Sequence, residues 1–574
     1  MKKLLVYLKD YRKESILAPL FKLLEASFEL FVPLVMAQII DVGIDNRDKN
    51  YIIQMGLVLF ALGIIGLACS LTAQYFAARA AVGFTAKVKN KLFSHIMDFS
   101  YSQMDALGSS SLVTRLTSDM NQVQSGVNLV LRLFLRSPFI VLGAMIMAFT
   151  VDVKAALIFV VAIPLLSIVV FGIMLIGIPI YRRVQDHLDR LTRNTRESLA
   201  GARVIRAFRL EDEWVGEFME NNKALRRIQL VAGRVSSVMN PVTYVIINGA
   251  LIALIYVGAV RVNGGFLKTG QVVALVNYMS QILVELIKLA NLIITTTKAV
   301  ACGNRIQTVL EIEAEGHTVD SVKRDGGVEY PGEYVAFHHV NFAYEGSGEN
   351  ALEDIDFTVH KGQTVGIIGG TGSGKSTLIH LLSGFYEPTS GEVVLDGKNL
   401  TAYESGEILE RIRLVPQKAV LFSGTIADNL RWGKEDATEE EMWAALETAQ
   451  AAEFVKQKEG LLEAEVKQAG KNFSGGQRQR LTIARALVGE PDILVLDDST
   501  SALDYRTDAS LRAAIRELPC HPTVFLISQR TNSIQYADLI LVLDDGKLVG
   551  VGTHEELLRE CEVYQEIHES QYKK

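Results

Sequence analysis

Gly369-Gly370-Thr371-Gly372-Ser373-Gly374-Lys375-Ser376-Thr377 follows the apolar run Thr364 to Ile368 and opens a leucine-rich segment. That is the strand-to-helix setting in which a glycine-rich loop binds phosphate. Closely spaced backbone N–H groups and the positive end of the following helix attract phosphate oxygens, and glycines permit close approach. Lys375 adds a full charge, and the Ser376 hydroxyl suits a magnesium ion. The spacing predicts a nucleoside triphosphate site with ATP and Mg²⁺ as cofactors. Such a loop accounts for binding; hydrolysis needs further groups.

The elements that position this loop occupy only part of the chain. With 574 residues, 49% of them hydrophobic, the sequence is too long for one core. Its mean hydropathy of +0.22 points to a lipid-embedded portion. A net charge of -7 carries no basic footprint, so no nucleic-acid partner is expected. Cys69, Cys302, Cys520 and Cys561 share no metal-ligand spacing and read as reduced structural thiols.

Apolar stretches run from Ile16 to Ile40, Ile52 to Ala78, Val127 to Thr150, Ala155 to Ile180, Val238 to Val260 and Val272 to Ala299. Each reaches the ~20 residues that cross a bilayer, which predicts six spans within residues 1–301. The first run is too long for a signal-peptide core and lacks a cleavage site, so it is expected to be retained. Lys and Arg crowd the N-terminus, the second-to-third connection and, from Arg182 to Arg234, the fourth-to-fifth. The positive-inside rule then puts these segments and both termini in the cytoplasm of a multi-pass cell-membrane protein. Both long cytoplasmic connections read as helix, turn and returning helix, turning near Met104 to Ser111 and near Arg206 to Glu213.

Ionisable groups in hydrocarbon are costly and usually face a cavity or a partner. Glu25 and Glu29 share one face of the first span. Asn277, Gln281, Glu285 and Lys288 follow a helical repeat in the sixth, where they form either a polar stripe lining a substrate pathway or a structural ion pair. Both readings stand open.

Residues 302–333 turn polar, with Asp325-Gly326-Gly327 and Pro331-Gly332 as turn signals, and are expected to form a linker. Residues 334–574 then alternate strand-like runs, at Thr364 to Ile368, Ile493 to Leu496, Val524 to Ile527 and Leu539 to Leu543, with helical segments. This is the pattern of an α/β domain with a parallel sheet.

Two further stretches, Asn472-Phe473-Ser474-Gly475-Gly476-Gln477-Arg478-Gln479-Arg480 and Ile493 to Asp504, complete a set with the phosphate loop. Together they closely resemble the ATP-binding cassette family, in its exporter architecture of a six-helix transmembrane bundle fused to an α/β P-loop nucleotide-binding domain. The resemblance implies that Tyr344 stacks on adenine, that Gln417 reaches Mg²⁺ and the attacking water, and that Asp497 holds the metal shell. It also implies that two such domains meet head to tail, so that Ser474, Gly475, Gly476 and Gln477 serve the nucleotide of a partner.

The chain departs from the family pattern where the chemistry lies. Asp498 stands in place of the usual glutamate after the strand aspartate, and Gln529 in place of the switch histidine. His521 lies eight residues before Gln529 and cannot substitute. Gln468 replaces a commonly acidic residue, and Phe473 a leucine, while the signature is intact. The resemblance then implies one half of a heterodimeric exporter of amphipathic, drug-like or lipid-like compounds, with a homologous half-transporter as partner. Its own site would hydrolyse weakly, and its signature would complete the competent site of the partner. A nucleotide-sensing regulatory subunit and a slow homodimeric exporter are the alternatives.

Overall fold

In the computed structural model, residues 3–314, 330–344 and 347–572 are described. The chain divides into two compact units, one comprising residues 1–94 and 110–312 and the other residues 95–109 and 313–574. The expected turn at Asp325 to Gly327 lies outside the described residues.

The first unit is built on six long apolar helices, Leu4–Ile44, Lys49–Met97, Ser109–Val151, Val153–Ala200, Glu211–Asn263 and Thr269–Leu310. Each contains one of the apolar runs. Helical segments satisfy their own backbone, as hydrocarbon requires. At 41 to 53 residues they are roughly 60–80 Å long, about twice the hydrocarbon thickness, so they continue well beyond it. The sixth runs to Leu310, so residues 302–310, expected in the linker, are helical. The fourth and fifth are joined by Ala202–Ala207 and a turn exposing Phe208, which places the second turning point where it was expected.

Small side chains bring these helices close. Ala26, Ala144, Ala148, Ala155 and Ala274 are buried beside Leu30, Phe159 and Tyr278, the packing expected where apolar burial alone does not drive helices together. The Tyr278 hydroxyl donates to the Leu30 carbonyl at 2.6 Å. Asp41, buried in the π turn Ile39–Ile44, accepts from the Gly270 N–H at 2.5 Å. A Cβ at Gly270 would lie 2.4 Å from the Ala37 carbonyl oxygen, so only glycine permits this approach. Large apolar residues such as Phe60, Val161, Ile168 and Tyr256 stay exposed on the outside, as a lipid-facing exterior demands.

The third span is interrupted. Met120–Leu133 and Arg136–Val151 are separate helical segments, broken at Phe134 and Leu135. Pro138 explains the break, because it has no N–H to offer the Phe134 carbonyl one turn earlier.

In the second unit six strands lie side by side in the order Lys547–Gly552, Leu539–Asp544, Thr364–Gly369, Thr523–Ile527, Ile493–Asp497 and Ile412–Val415. All neighbours are parallel except the first pair. The side-chain period of two gives this sheet two cores. Ile367, Val495, Phe525 and Leu541 point into one, shared with a four-stranded sheet made of Leu352–Val359, Val335–Phe342, Ser390–Leu395 and Lys398–Asn399. Ile368, Leu494, Leu526 and Val542 point into the other, under the helices that include Gly475–Leu487.

Candidate nucleotide site

The phosphate loop, Gln417, Asp497, Asp498 and Gln529 sit at the carboxyl ends of parallel strands or in the turns that follow, where open α/β sheets bind ligands. Thr364–Gly369 delivers the phosphate loop, and Lys375–Leu382 is the helix it opens. Gly374 has φ +96°, and a Cβ there would meet Leu352 at 2.6 Å, so the curl of the loop demands glycine. Thr371, Gly372 and Ser376 are exposed at the rim, whereas Ser373 and Thr377 are buried beneath it.

Lys375 is buried, and its ammonium donates to the carbonyls of Gly369 (2.9 Å) and Gly370 and to the Ser373 hydroxyl (3.2 Å). No carboxylate among the described residues lies within ion-pair distance, and burial depresses its pKa. A buried cation hydrogen-bonded to neutral acceptors, with Asp497 and Asp498 acting on it only at longer range, set in a glycine cradle at a helix N-terminus, fits a polyphosphate.

Asp497 closes its strand with its carboxylate 3.4 Å from the Ser376 hydroxyl. Burial, reinforced by the neighbouring Asp498 charge, raises its pKa above the ordinary 3.8. A hydroxyl and a buried carboxylate are hard oxygen donors of the kind that Mg²⁺ takes. Because the folded pKa is raised, the fold disfavours the ionised form. The penalty is absent below the unfolded value and grows as pH rises towards the raised folded value. Asp497→Asn is therefore expected to raise the melting temperature of the ligand-free protein at pH 7, the gain shrinking towards pH 4. The same change should weaken Mg²⁺-dependent ATP binding by roughly 10- to 100-fold. Calorimetry with and without Mg²⁺ checks both signs.

Asp498 adopts φ +44°, and its N–H donates to the Ile527 carbonyl at 3.1 Å. Gln417 Nε2 donates to Asp498 Oδ2 at 3.3 Å. A cavity of about 490 Å³ is lined by Asp498, Ser501, Gln529, Arg530, Asn532 and Gln571. The two departures read from the sequence thus share one cavity, and Gln417 is bonded to one of them. His521 stands before strand Thr523–Ile527 and Gln529 after it, so the imidazole is at the wrong end of the strand.

Tyr344 is half-buried, with its hydroxyl 3.0 Å from Thr377 Oγ1 and its ring edge-on to Tyr386. That position beside the phosphate-loop helix suits an aromatic that stacks on a base. Tyr386 and its neighbour Phe385 were not singled out from the sequence. The Tyr386 hydroxyl donates to Asp105 at 2.6 Å, and Phe385 stacks on Tyr101 at 4.1 Å. Tyr101 and Asp105 belong to Tyr101–Leu107, the first expected turning point, which folds with this unit.

Ser474 caps helix Gly475–Leu487 through a reciprocal box with Gln477. Among the described residues no hydrogen bond joins this motif to the phosphate loop. Ser474 and Gly475 are exposed, while Phe473 is buried against Phe454. The leucine-to-phenylalanine change is absorbed in the core, and Gln468 lies exposed on a short turn.

In the first unit charged groups of the first, third and sixth spans are hydrogen-bonded to one another. Glu285 is 3% exposed and receives Arg136 (2.7 Å), Ser137 (2.7 Å) and Lys288 (2.8 Å). Arg136 also holds Glu29 at 2.7 Å, and Lys22 holds Glu25 at 2.5 Å. Glu285 is therefore a buried anion bonded on three sides, and Glu25 is paired with Lys22. Asn277 is exposed, and Gln281, Glu29 and Lys288 are partly so. Arg136 and Lys22, charges embedded in apolar runs, were the missed signal.

Residues 15–286 match the family model described as ABC transporter transmembrane region, and residues 352–501 the one described as ABC transporter. The fold is similar to a solved bacterial Atm1-family ABC exporter with ATP bound, at TM-score 0.79 and 22% identity over 98% of this chain and 99% of that one. A putative multidrug export ATP-binding/permease protein of Bacillus subtilis is 30% identical over 100% of this chain and 98% of its own length. An uncharacterized ABC transporter ATP-binding protein of Mycobacterium tuberculosis is 37% identical over 98% of this chain and 97% of its own. With the phosphate loop, the strand aspartate and the signature placed on this fold, the chain belongs to the ABC transporter family, as an exporter-type half-transporter with an ATP-hydrolysing domain.

Proposed function

We propose that this chain is the weakly hydrolysing half of a heterodimeric exporter for amphipathic or hydrophobic compounds of the drug or lipid class. The observation that carries the reading is the shared cavity of Asp498 and Gln529. A carboxylate one methylene short and an amide that takes no proton face the place where hydrolysis is completed. The capped Ser474 to Gln477, exposed at Ser474 and Gly475, is offered to the nucleotide of a homologous partner.

In this reading Lys375 and Thr377 bind the phosphates with Gly369, Thr371, Gly372, Ser373 and Gly374, and Tyr344 stacks on the base. Ser376, Asp497 and Gln417 hold Mg²⁺, which supplies charge neutralisation when bound. Both termini lie in the cytoplasm, and the chain resides in the cell membrane. Glu25, Glu29, Asn277, Gln281, Glu285 and Lys288 are the candidates for a substrate pathway, Glu285 being the buried acceptor of Arg136. The multidrug export name of one relative and the apolar bundle support the cargo class.

Purified alone, the chain is expected to bind MgATP yet turn it over slowly, and co-expression with its partner to restore turnover. Ser474→Ala should then lower turnover of the pair by about a hundredfold, the scale of a lost oxyanion donor. Brisk hydrolysis by the lone chain, abolished by Asp498→Asn, overturns the proposal.

A further inference from the structure

The C-terminal helix Glu562–Tyr572 ends in the cavity that holds Asp498 and Gln529. Its Gln571 side chain grips the switch segment at two points. Gln571 Nε2 donates to the Gln529 carbonyl at 2.8 Å. Gln571 Oε1 accepts from the Thr531 N–H at 3.0 Å and from the Thr531 hydroxyl at 3.2 Å. Thr531 opens the short helix Thr531–Ile534, whose preceding residue Arg530 supplies no side-chain cap. One amide therefore spans the turn on both sides of Arg530, using a donor and an acceptor at once.

The grip is rigidly backed. Tyr564 on the same helix is fully buried in the helical-side core, with its hydroxyl 2.7 Å from His554 Nδ1. His568, one turn before the end, places Nδ1 3.2 Å from Thr531 Oγ1. Ser528 adds a bond from beneath, accepting from the Arg530 N–H at 3.0 Å. The backbone of Gln529 is thus fixed from the C-terminal helix, while its side chain is free to extend along the cavity wall.

We propose that Gln571 is a positioning residue for nucleotide hydrolysis at this chain's own site, setting the reach of the switch side chain at position 529. The inference rests on the reading of Asp498 and Gln529 as the slow half-site. It goes beyond that reading by assigning the C-terminal helix a part in the chemistry. A donor and an acceptor are both required, so glutamine is the residue whose loss each substitution should expose.

The test uses the full chain with its partner, with turnover read in the Asp498→Glu, Gln529→His background, where the site is made fast enough to follow. Gln571→Ala is expected to lower kcat about fivefold, the scale of one net hydrogen bond, with the KM for MgATP within about twofold. Amide exchange of residues 528–534 should quicken roughly tenfold while residues 369–378 keep their protection. Gln571→Glu keeps the acceptor but loses the donor. It should retain slow exchange at Thr531 and still show the kcat loss. An unchanged kcat in a folded Gln571→Ala protein overturns the proposal. So does a loss of protection spread across the whole unit with kcat and KM moving together, since that marks a structural role. If the doubly substituted background gains no turnover, the half-site reading fails by itself. Exchange then decides for Gln571: faster exchange confined to 528–534 supports the grip, and no local change overturns it.

Discussion

Asp498→Glu combined with Gln529→His is expected to raise ATP turnover at this chain's own site by about a hundredfold. The added methylene carries the carboxylate roughly 1.5 Å further into the cavity. A 1 Å error in the placement of a reacting group costs on the order of a hundredfold. The 490 Å³ cavity leaves room for the longer side chain, and Gln417 donates to the present carboxylate at 3.3 Å. Histidine at 529 adds a group that can carry the proton or positive charge near neutral pH, which an amide cannot. The two residues line one cavity and should act as a unit, so either single change is expected to recover much less than the pair. Steady-state hydrolysis by the lone chain and by the heterodimer measures it. A double variant within threefold of the parent in both settings would place the cause of slow turnover elsewhere.

Glu285→Ala should be the most destabilising single change in the membrane unit. Glu285 is the shared acceptor of Arg136, Ser137 and Lys288, and the set of Glu29, Arg136, Glu285 and Lys288 is neutral as a whole. Breaking a buried ion pair costs about 3–5 kcal/mol, and here the buried Arg136 keeps only the partly exposed Glu29 as a carboxylate partner among the described residues. Arg136 is 7% exposed and cannot escape to water, whereas Lys288, 41% exposed at its side chain, can extend outward. Replacing both members by apolar residues of similar volume, Glu285→Leu with Arg136→Met, should recover most of the loss. Thermal unfolding in detergent compares the three proteins. A single variant that melts with the parent would mean that the network contributes little to the fold and is free to serve cargo.

Much of this protein is legible along its chain. Phosphate binding is a local property: an apolar strand, a glycine-rich turn and a helix N-terminus contiguous in sequence make the cradle, so Gly369 to Thr377 could be read directly. The six spans are equally legible, because hydrocarbon demands long, self-satisfied helices. The shortened Asp498 and the amide of Gln529 are visible as departures from a family pattern. Their sharing of one cavity is not, since 31 residues separate them in the sequence, counting from 498 to 529.

Groups that act through distant partners were beyond linear reading. Glu285 and Lys288 lie one turn apart and left a stripe and an ion pair both open, whereas Arg136, 149 residues away, joins Glu285 in a network that the spacing does not reveal. Nothing in the local pattern of the C-terminal helix marks Gln571 as the clamp of a switch segment 42 residues earlier. The linear order by itself determined the phosphate loop, the spans and the family pattern, because each depends on covalent neighbours and backbone periodicity. Only the tertiary structure decided which charges are neutralised and which side chains reach the site. Those outcomes depend on distances between strands and helices that no sequence spacing encodes.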